Sequence, residues 1–356
     1  MSGTVNEALA GPIVITGAAG FIGRNVVAEL NRRGRTDLVL VDRLGTDERW
    51  SNLVGLDYAE LLDADAFIAA VRDGSAAHAG TVIHLGACSA TTERNAGFLL
   101  ENNYRYSRHL AEWCLARGIR MVYASSAATY GDGELGYDDD DVVTARLRPL
   151  NMYGYSKHLF DQWALTSGVL ASGALTSGVL SRGALASGAL ANTSTSSLVG
   201  LKYFNVFGPF EDHKGDMRSV VNKSYARIAA GQDVELFRSH RQGWADGEQQ
   251  RDFIYVRDVV DVTLHFADRR TPGGLYNCGT GKARSWLDLA RALFSAMGEE
   301  PRIRMIDMPE TLRGKYQYLT QASTTKLRHA GYDKPFTSLE DGVRDYVTTH
   351  LALQGA

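Results

Sequence analysis

Residues 13–23 read IVITGAAGFIG. The run Ile13 to Thr16 is apolar or β-branched throughout, and Gly17, Gly20 and Gly23 follow at intervals of three. Such a run, ending abruptly in glycine, reads as a short strand buried on both faces. The next stretch, about Phe21 to Arg33, has helical spacing and closes on Gly34. A second apolar run, Leu38 to Val41, ends in Asp42. Strand, helix and strand in that order make one βαβ unit, whose product is a pair of parallel strands. Gly17 permits the tight turn, Gly20 lets a pyrophosphate approach the backbone, and Gly23 lets helix and strand pack closely. The free amides and positive dipole end of the helix would face those phosphates, beside Phe21 and Ile22. The plainer alternative is a glycine-rich turn without a ligand. The strand before the glycines and Asp42 after the next strand favour a dinucleotide.

The pattern continues outward. Further apolar runs lie at Thr81 to Leu85, Arg120 to Ala124 and Leu198 to Phe204, with helical stretches near 94–117 and 153–166. The fold class predicted is α/β, a Rossmann-type doubly wound parallel sheet with a smaller mixed α/β lobe. The sheet domain is expected to span 1–204, with 251–271 returning to it. Residues 205–250 and 272–356 are assigned mainly to the smaller lobe. That region shows helical stretches near 217–230, 285–297 and 338–350, and strands near 251–256 and 274–278. From Leu165 the chain runs LTSGV LASGA LTSGV LSRGA LASGA, five near-copies of one pentapeptide. A low-complexity surface insertion over 165–194 accounts for it, with no catalytic role.

The 356 residues are 44% hydrophobic and 22% charged, with a net charge of -3, which gives no general attraction to nucleic acid or to an anionic membrane. Cys88, Cys114 and Cys278 have no CxxC spacing, which fits a reducing compartment and offers no metal site. The first dozen residues lack a basic start and a long apolar run, so no leader peptide is expected. No stretch approaches the roughly 20 apolar residues of a membrane helix, and the cytoplasm is the expected location.

Tyr153 and Lys157 stand four apart in NMYGYSK, on one helix face. A phenol titrates near 10 and is a poor base at neutrality; an ammonium beside it favours the phenolate. Ser126, in YASSAATYG at a strand end, can orient a substrate alcohol. An isolated YxxxK is often an ordinary helix pair, but the glycine turn and the strand-end serine upstream favour a catalytic reading. Asp42 would take a ribose hydroxyl, which suits NAD. Arg43 and Arg49 could instead hold a 2′-phosphate and admit NADP. They could equally be solvated surface charge, so these residues leave both cofactors open.

The stretches HLGACSATTE (84–93), ENNYRYS (101–107), KYFNVFGP (202–209), HKGDM (213–217), RDFIYVRDV (251–259), GKYQYLTQA (314–322) and AGYDKPF (330–336) join those above. Together they resemble the extended short-chain dehydrogenase/reductases, and within them the ADP-heptose 6-epimerases, over nearly the whole chain. The resemblance implies Tyr153 as base, with Lys157 and Ser126 as its partners. It makes Lys214 a second acid/base group, which suits inversion at a carbinol because the alcohol oxygen then occupies two positions. It places Leu85, Gly86, Ala87, Ser89, Asn102 and Val206 along a nicotinamide cofactor, NADP with NAD possible. It places Asn205, Phe237, Arg251 and Tyr316 on a nucleotide-sugar substrate, with Arg251 on its diphosphate. It also implies a homo-oligomer, specifically a pentamer.

Three features depart from the family pattern. Asp216 stands where a serine is usual, Lys223 where histidine is frequent, and extra residues fill the chain between Phe237 and Arg251. Asp216 and Lys223 are retained as substrate contacts. A 4-epimerase is the nearest alternative activity. A dehydratase fits poorly, because Ala127, Ala128 and Thr129 follow the strand-end serine where an acidic pair belongs. A cofactor-sensing protein without activity fits poorly too, since the tyrosine and lysine are both present.

Overall fold

The computed structural model describes residues 9, 11–170, 197–314 and 316–354. The pentapeptide insertion therefore lies outside the described residues from 171 onward. Twelve strands occur among the described residues: β1 (Ile13–Thr16), β2 (Leu38–Asp42), β3 (Glu60–Asp63), β4 (Thr81–His84), β5 (Arg120–Ser126), β6 (Leu198–Tyr203), β7 (Asn205–Phe207), β8 (Val234–Phe237), β9 (Gln250–Tyr255), β10 (Gly274–Cys278), β11 (Ala283–Ser285) and β12 (Ile303–Ile306).

Seven strands form the main sheet in the order β10-β6-β5-β4-β1-β2-β3, every neighbouring pair parallel. Alternate residues of β1 feed opposite faces. Ile13 and Ile15 pack with Val26, Val27 and Leu30 of helix Phe21–Arg32 and with Val259, Val260 and Phe266 of helix Val256–Ala267. Val14 packs on the other side with Phe67 and Val71 of helix Ala64–Asp73, Leu110 and Trp113 of helix Tyr106–Ala116, and Phe160 of helix Met152–Thr166. A sheet covered on both faces needs no polar side, which is why its strands read as unbroken apolar runs. The strand order reverses between β1 and β4. At that switch point the carboxyl ends of the strands leave a crevice.

The smaller lobe holds the sheet β11-β9-β7 and the pair β12-β8, packed with helices Val220–Ala229, Trp286–Met297 and Leu339–Tyr346. Two assignments from sequence are corrected by this topology. Strand β10, placed in the smaller lobe, is the edge strand of the main sheet, paired with β6 from Gly274↔Val199 to Cys278↔Tyr203. Strand β9, placed with the sheet domain, pairs with β7 and β11 instead; only the helix after it returns to the main sheet. Both strands are short and apolar, and local sequence does not say which edge such a strand joins. No described helix is long and apolar enough to cross a membrane.

Candidate functional site

The crevice is a cavity of about 1170 Å³ lined by the glycine turn, the ends of β4 and β5, the start of helix Met152–Thr166, β7 and the segment Asp212–Met217. Gly17 has φ +70°, and its amide donates to the Val41 carbonyl at 2.8 Å. A Cβ at Gly17 would lie 2.6 Å from the Gly86 amide nitrogen, and one at Gly23 would lie 2.0 Å from the Gly17 carbonyl oxygen. Neither position can take a side chain without moving backbone. The turn is thus pressed between β4 and the helix, with bare backbone facing the cavity. That cradle fits a pyrophosphate at a helix N-terminus. Gly20, Phe21, Ile22, Leu85, Gly86, Ala87, Ser89 and Asn102 line the same cavity.

Asp42 closes this end. One of its carboxylate oxygens accepts the Ala19 amide and the other the Arg43 amide, both at 2.8 Å. Burial pushes its carboxyl above the usual carboxylate range against the pull of those amides and of Arg49. Arg43 pairs with Asp65 and contacts Asn102, while Arg49 pairs with Asp47 at 2.7 Å. All four of Asp42, Arg43, Arg49 and Asp65 line the cavity.

The reacting end depends on where helix Met152–Thr166 starts. The Asn151 side chain caps it by accepting the Gly154 amide at 2.8 Å. Gly154 presses against the end of β5, where a Cβ would lie 2.7 Å from the Ala128 carbonyl oxygen. This close approach brings the Tyr153 phenol into a hydrogen bond with Ser126. Lys157, 6% exposed, donates to the Ala124 carbonyl at 2.9 Å. Burial lowers its ammonium to about 8, and Asp161 one turn further on raises it. Burial pushes the Tyr153 phenol above its ordinary value, and Ser126 opposes the shift.

Asn205 and Val206 of β7 line the opposite side, with Lys214, Asp216 and Lys223. The Lys214 ammonium stands 3.8 Å from the Glu211 carboxylate and 4.9 Å from the centre of the Phe21 ring. Burial lowers its pKa, and Glu211 counteracts. Asp216 is exposed and engages Lys223 only through its backbone carbonyl, at 3.1 Å. The remaining three expected substrate contacts, Phe237, Arg251 and Tyr316, are not among the residues lining this cavity. Arg251 lies 4.9 Å from the Tyr316 ring centre, and Phe237 packs edge-on to that ring. Tyr316 lines a second cavity of about 470 Å³ with His240, Arg241, Arg313 and Tyr318. Cys88 is half-buried and lines the main cavity. Among the described residues no cluster could hold a metal ion.

Residues 13–279 match the pattern of the NAD dependent epimerase/dehydratase family. The chain belongs to that family. It is 50% identical over 340 residues to an ADP-L-glycero-D-manno-heptose-6-epimerase of Nitratidesulfovibrio vulgaris (strain DP4), covering 95% of this chain and 98% of that one. A protein of the same name from Fusobacterium nucleatum is 42% identical, over 96% of this chain and 98% of that one. Among solved structures, the ADP-L-glycero-D-manno-heptose-6-epimerase of Helicobacter pylori superposes with a TM-score of 0.74 at 26% identity, covering 96% of this chain and 97% of that one. A second, MoeE5 in complex with UDP-glucose and NAD, gives a TM-score of 0.70 at 25% identity, over 96% and 100%.

Within the family's cavity the sequence signalled the glycine turn, Ser126, Tyr153 and Lys157. It missed Trp286, Leu289, Gln317 and Thr320, which also line the wall. Gln317 and Thr320 belong to a loop anchored by buried Asp252, which accepts the Ala322 amide at 3.0 Å and the Thr280 amide at 2.7 Å. Asp252 sits inside the recognisable stretch RDFIYVRDV, yet nothing local shows which loop it will hold.

Proposed function

We propose that the chain inverts C6 of the heptose in ADP-D-glycero-D-manno-heptose, giving ADP-L-glycero-D-manno-heptose for the lipopolysaccharide core. The observation that carries this reading is one cavity holding two separate proton-transfer groups, Tyr153 on the sheet domain and Lys214 on the smaller lobe. Inversion by oxidation and return moves the alcohol oxygen between two positions, which two such groups serve better than one. The half-identical relatives bear the corresponding name.

A nicotinamide dinucleotide bound along the glycine turn supplies a hydride acceptor that later returns the same hydride. Gly17, Gly20 and Gly23 would hold its pyrophosphate, and Val206 would flank its ring. We infer NADP, because Arg43 and Arg49 rim the cavity beside Asp42, where a guanidinium can take a 2′-phosphate. Ser126 orients the C6 hydroxyl and Tyr153 takes its proton as the hydride leaves. The resulting C6 ketone then presents its other face. Lys214 gives a proton to the oxygen when hydride returns. The second cavity, with Arg241 and Arg313 beside buried Arg251, suits the negatively charged nucleotide end.

Incubating the protein with ADP-D-glycero-D-manno-heptose and following C6 by NMR tests the reading. Wild type should form the epimer, and Tyr153→Phe should lose turnover by about 10³-fold or more. Unchanged turnover in that variant, or an unaltered heptose with wild type, removes the assignment.

A further inference from the structure

Three residues before Lys214, Glu211 has no exposed surface and no share in the cavity. Its partners explain how a carboxylate survives there. One oxygen accepts the Ser219 amide at 2.6 Å and the other accepts the Ser219 hydroxyl. The Tyr346 phenol also hydrogen-bonds it, while accepting the Asn222 side-chain amide at 2.8 Å. Burial pushes this carboxyl above the usual range, and its accepting bonds and Lys214 favour the carboxylate against that push. Among the described residues its cation partner is Lys214, at 3.8 Å.

Lys214 in turn has two supports for its charge on two different elements. Glu211 stands behind it, and the Phe21 ring of the glycine-turn helix lies 4.9 Å away, within range of a cation–π contact. Against these stand its own burial and the Lys223 ammonium on helix Val220–Ala229. The other ionisable neighbours are His213 on the same segment, Asp212, and the Tyr346 phenol on helix Leu339–Tyr346. The backbone alone does not fix the lysine, since Gly215 next to it has φ +53° and interrupts the helical segment.

We propose that Glu211 is a positioning residue for Lys214: its carboxylate, clamped from behind by Ser219 and Tyr346, holds the lysine at the cavity wall as an ammonium ready to donate. This rests on the proton-donor role given to Lys214 above. Removing the carboxylate's charge leaves the lysine buried and facing Lys223, so it should release its proton at lower pH.

The test uses the full chain and a readout that does not require turnover. Acetic anhydride acylates only neutral amines, so the pH dependence of Lys214 acylation, read by mass spectrometry of its peptide, reports its protonation. In Glu211→Gln that dependence should move down by about one pH unit, while Lys157 acylation is unmoved. In the epimerase assay kcat should fall roughly tenfold with KM unchanged. Unmoved Lys214 acylation, or a kcat equal to wild type, overturns the inference. Absence of epimerase activity in wild type would instead remove the functional reading, and the acylation shift would still decide the Glu211–Lys214 coupling. If Glu211→Gln does not fold, Glu211→Asp decides. It keeps the charge on a shorter arm, and should lower kcat while Lys214 stays resistant to acylation near neutral pH; wild-type kcat would overturn it.

Discussion

A buried lysine, Lys157, and a half-buried one, Lys214, face one cavity from two different kinds of wall. Lys157 projects from the middle of a fifteen-residue helix whose start is capped by Asn151 and pressed against β5. Its hydrogen-bond partner is a neutral carbonyl, and its ammonium titrates at about 8. Lys214 projects from a six-residue segment interrupted at Gly215, and its partner is a carboxylate. The first wall fixes position by regular backbone and can leave the lysine near its titration point. The second wall has little regular backbone and uses charge to do both jobs. A rigid element can tolerate a weakly held side chain, while an irregular one needs a strong partner to define where its side chain sits.

The largest expected effect separates the two walls by half-reaction. Lys214→Met keeps the length and apolar contacts of the side chain and removes its proton. Epimer formation should fall by about 10²–10⁴-fold. Oxidation, which depends on Tyr153, should survive, so adding substrate should give a near-ultraviolet signal of hydride transfer without epimer. Tyr153→Phe should show neither. Both variants losing the ultraviolet signal would mean that the walls do not divide the chemistry.

The next effect concerns what lies behind Lys157. Asp161 has no exposed surface; it accepts the Tyr123 phenol at 3.0 Å and the Ser125 hydroxyl at 2.6 Å, and lies 3.6 Å from fully buried Lys202. Asp161→Asn leaves that lysine uncompensated, and breaking such a pair costs about 3–5 kcal/mol. Urea unfolding should report a midpoint lowered accordingly, with the m-value unchanged. A loss below about 1 kcal/mol would show that the sheet-domain wall does not depend on this charge. Exposed pairs such as Arg344 with Asp341 offer no such leverage.

How much of this was legible differs between the walls for the same reason. The sheet domain is built from βαβ units, so β1, β2, β4, β5 and β6 appear in the sequence as apolar runs with helical stretches between several of them. Gly17, Gly23, Tyr153 and Lys157 fall at fixed offsets within those units. Strands β3, β7, β8, β11 and β12 have three or four residues each, with polar members such as Glu60 and Arg284, and form only because a partner strand is already there. The smaller lobe is assembled mostly from such pieces. Lys214 could be picked out only through its resemblance to a known motif, and Glu211 carried no signal beyond standing three residues before it. Phe237, Arg251 and Tyr316 pack against one another, but no local rule in the sequence shows it.

The smallest effect tests the end of the cavity farthest from either lysine, where charge is again set on an irregular backbone. Arg49 is bound by Asp47, two residues away, with its side chain 35% exposed; Arg43 is bound by Asp65, with its side chain 42% exposed. Ion pairs this exposed contribute about 0–1 kcal/mol, so a phosphate dianion can draw either guanidinium from its carboxylate at little cost. Asp42 does not serve that role, because a carboxylate only accepts hydrogen bonds and repels a phosphate; its oxygens suit a ribose hydroxyl instead. Arg43→Ala combined with Arg49→Ala should therefore weaken NADP binding about tenfold, or about 1.4 kcal/mol, while changing NAD binding less than about twofold. Calorimetric titration of both cofactors into both proteins measures this directly. A double variant that loses NAD and NADP equally would assign the two arginines to holding the loop after β2, and would return the choice of cofactor to Asp42.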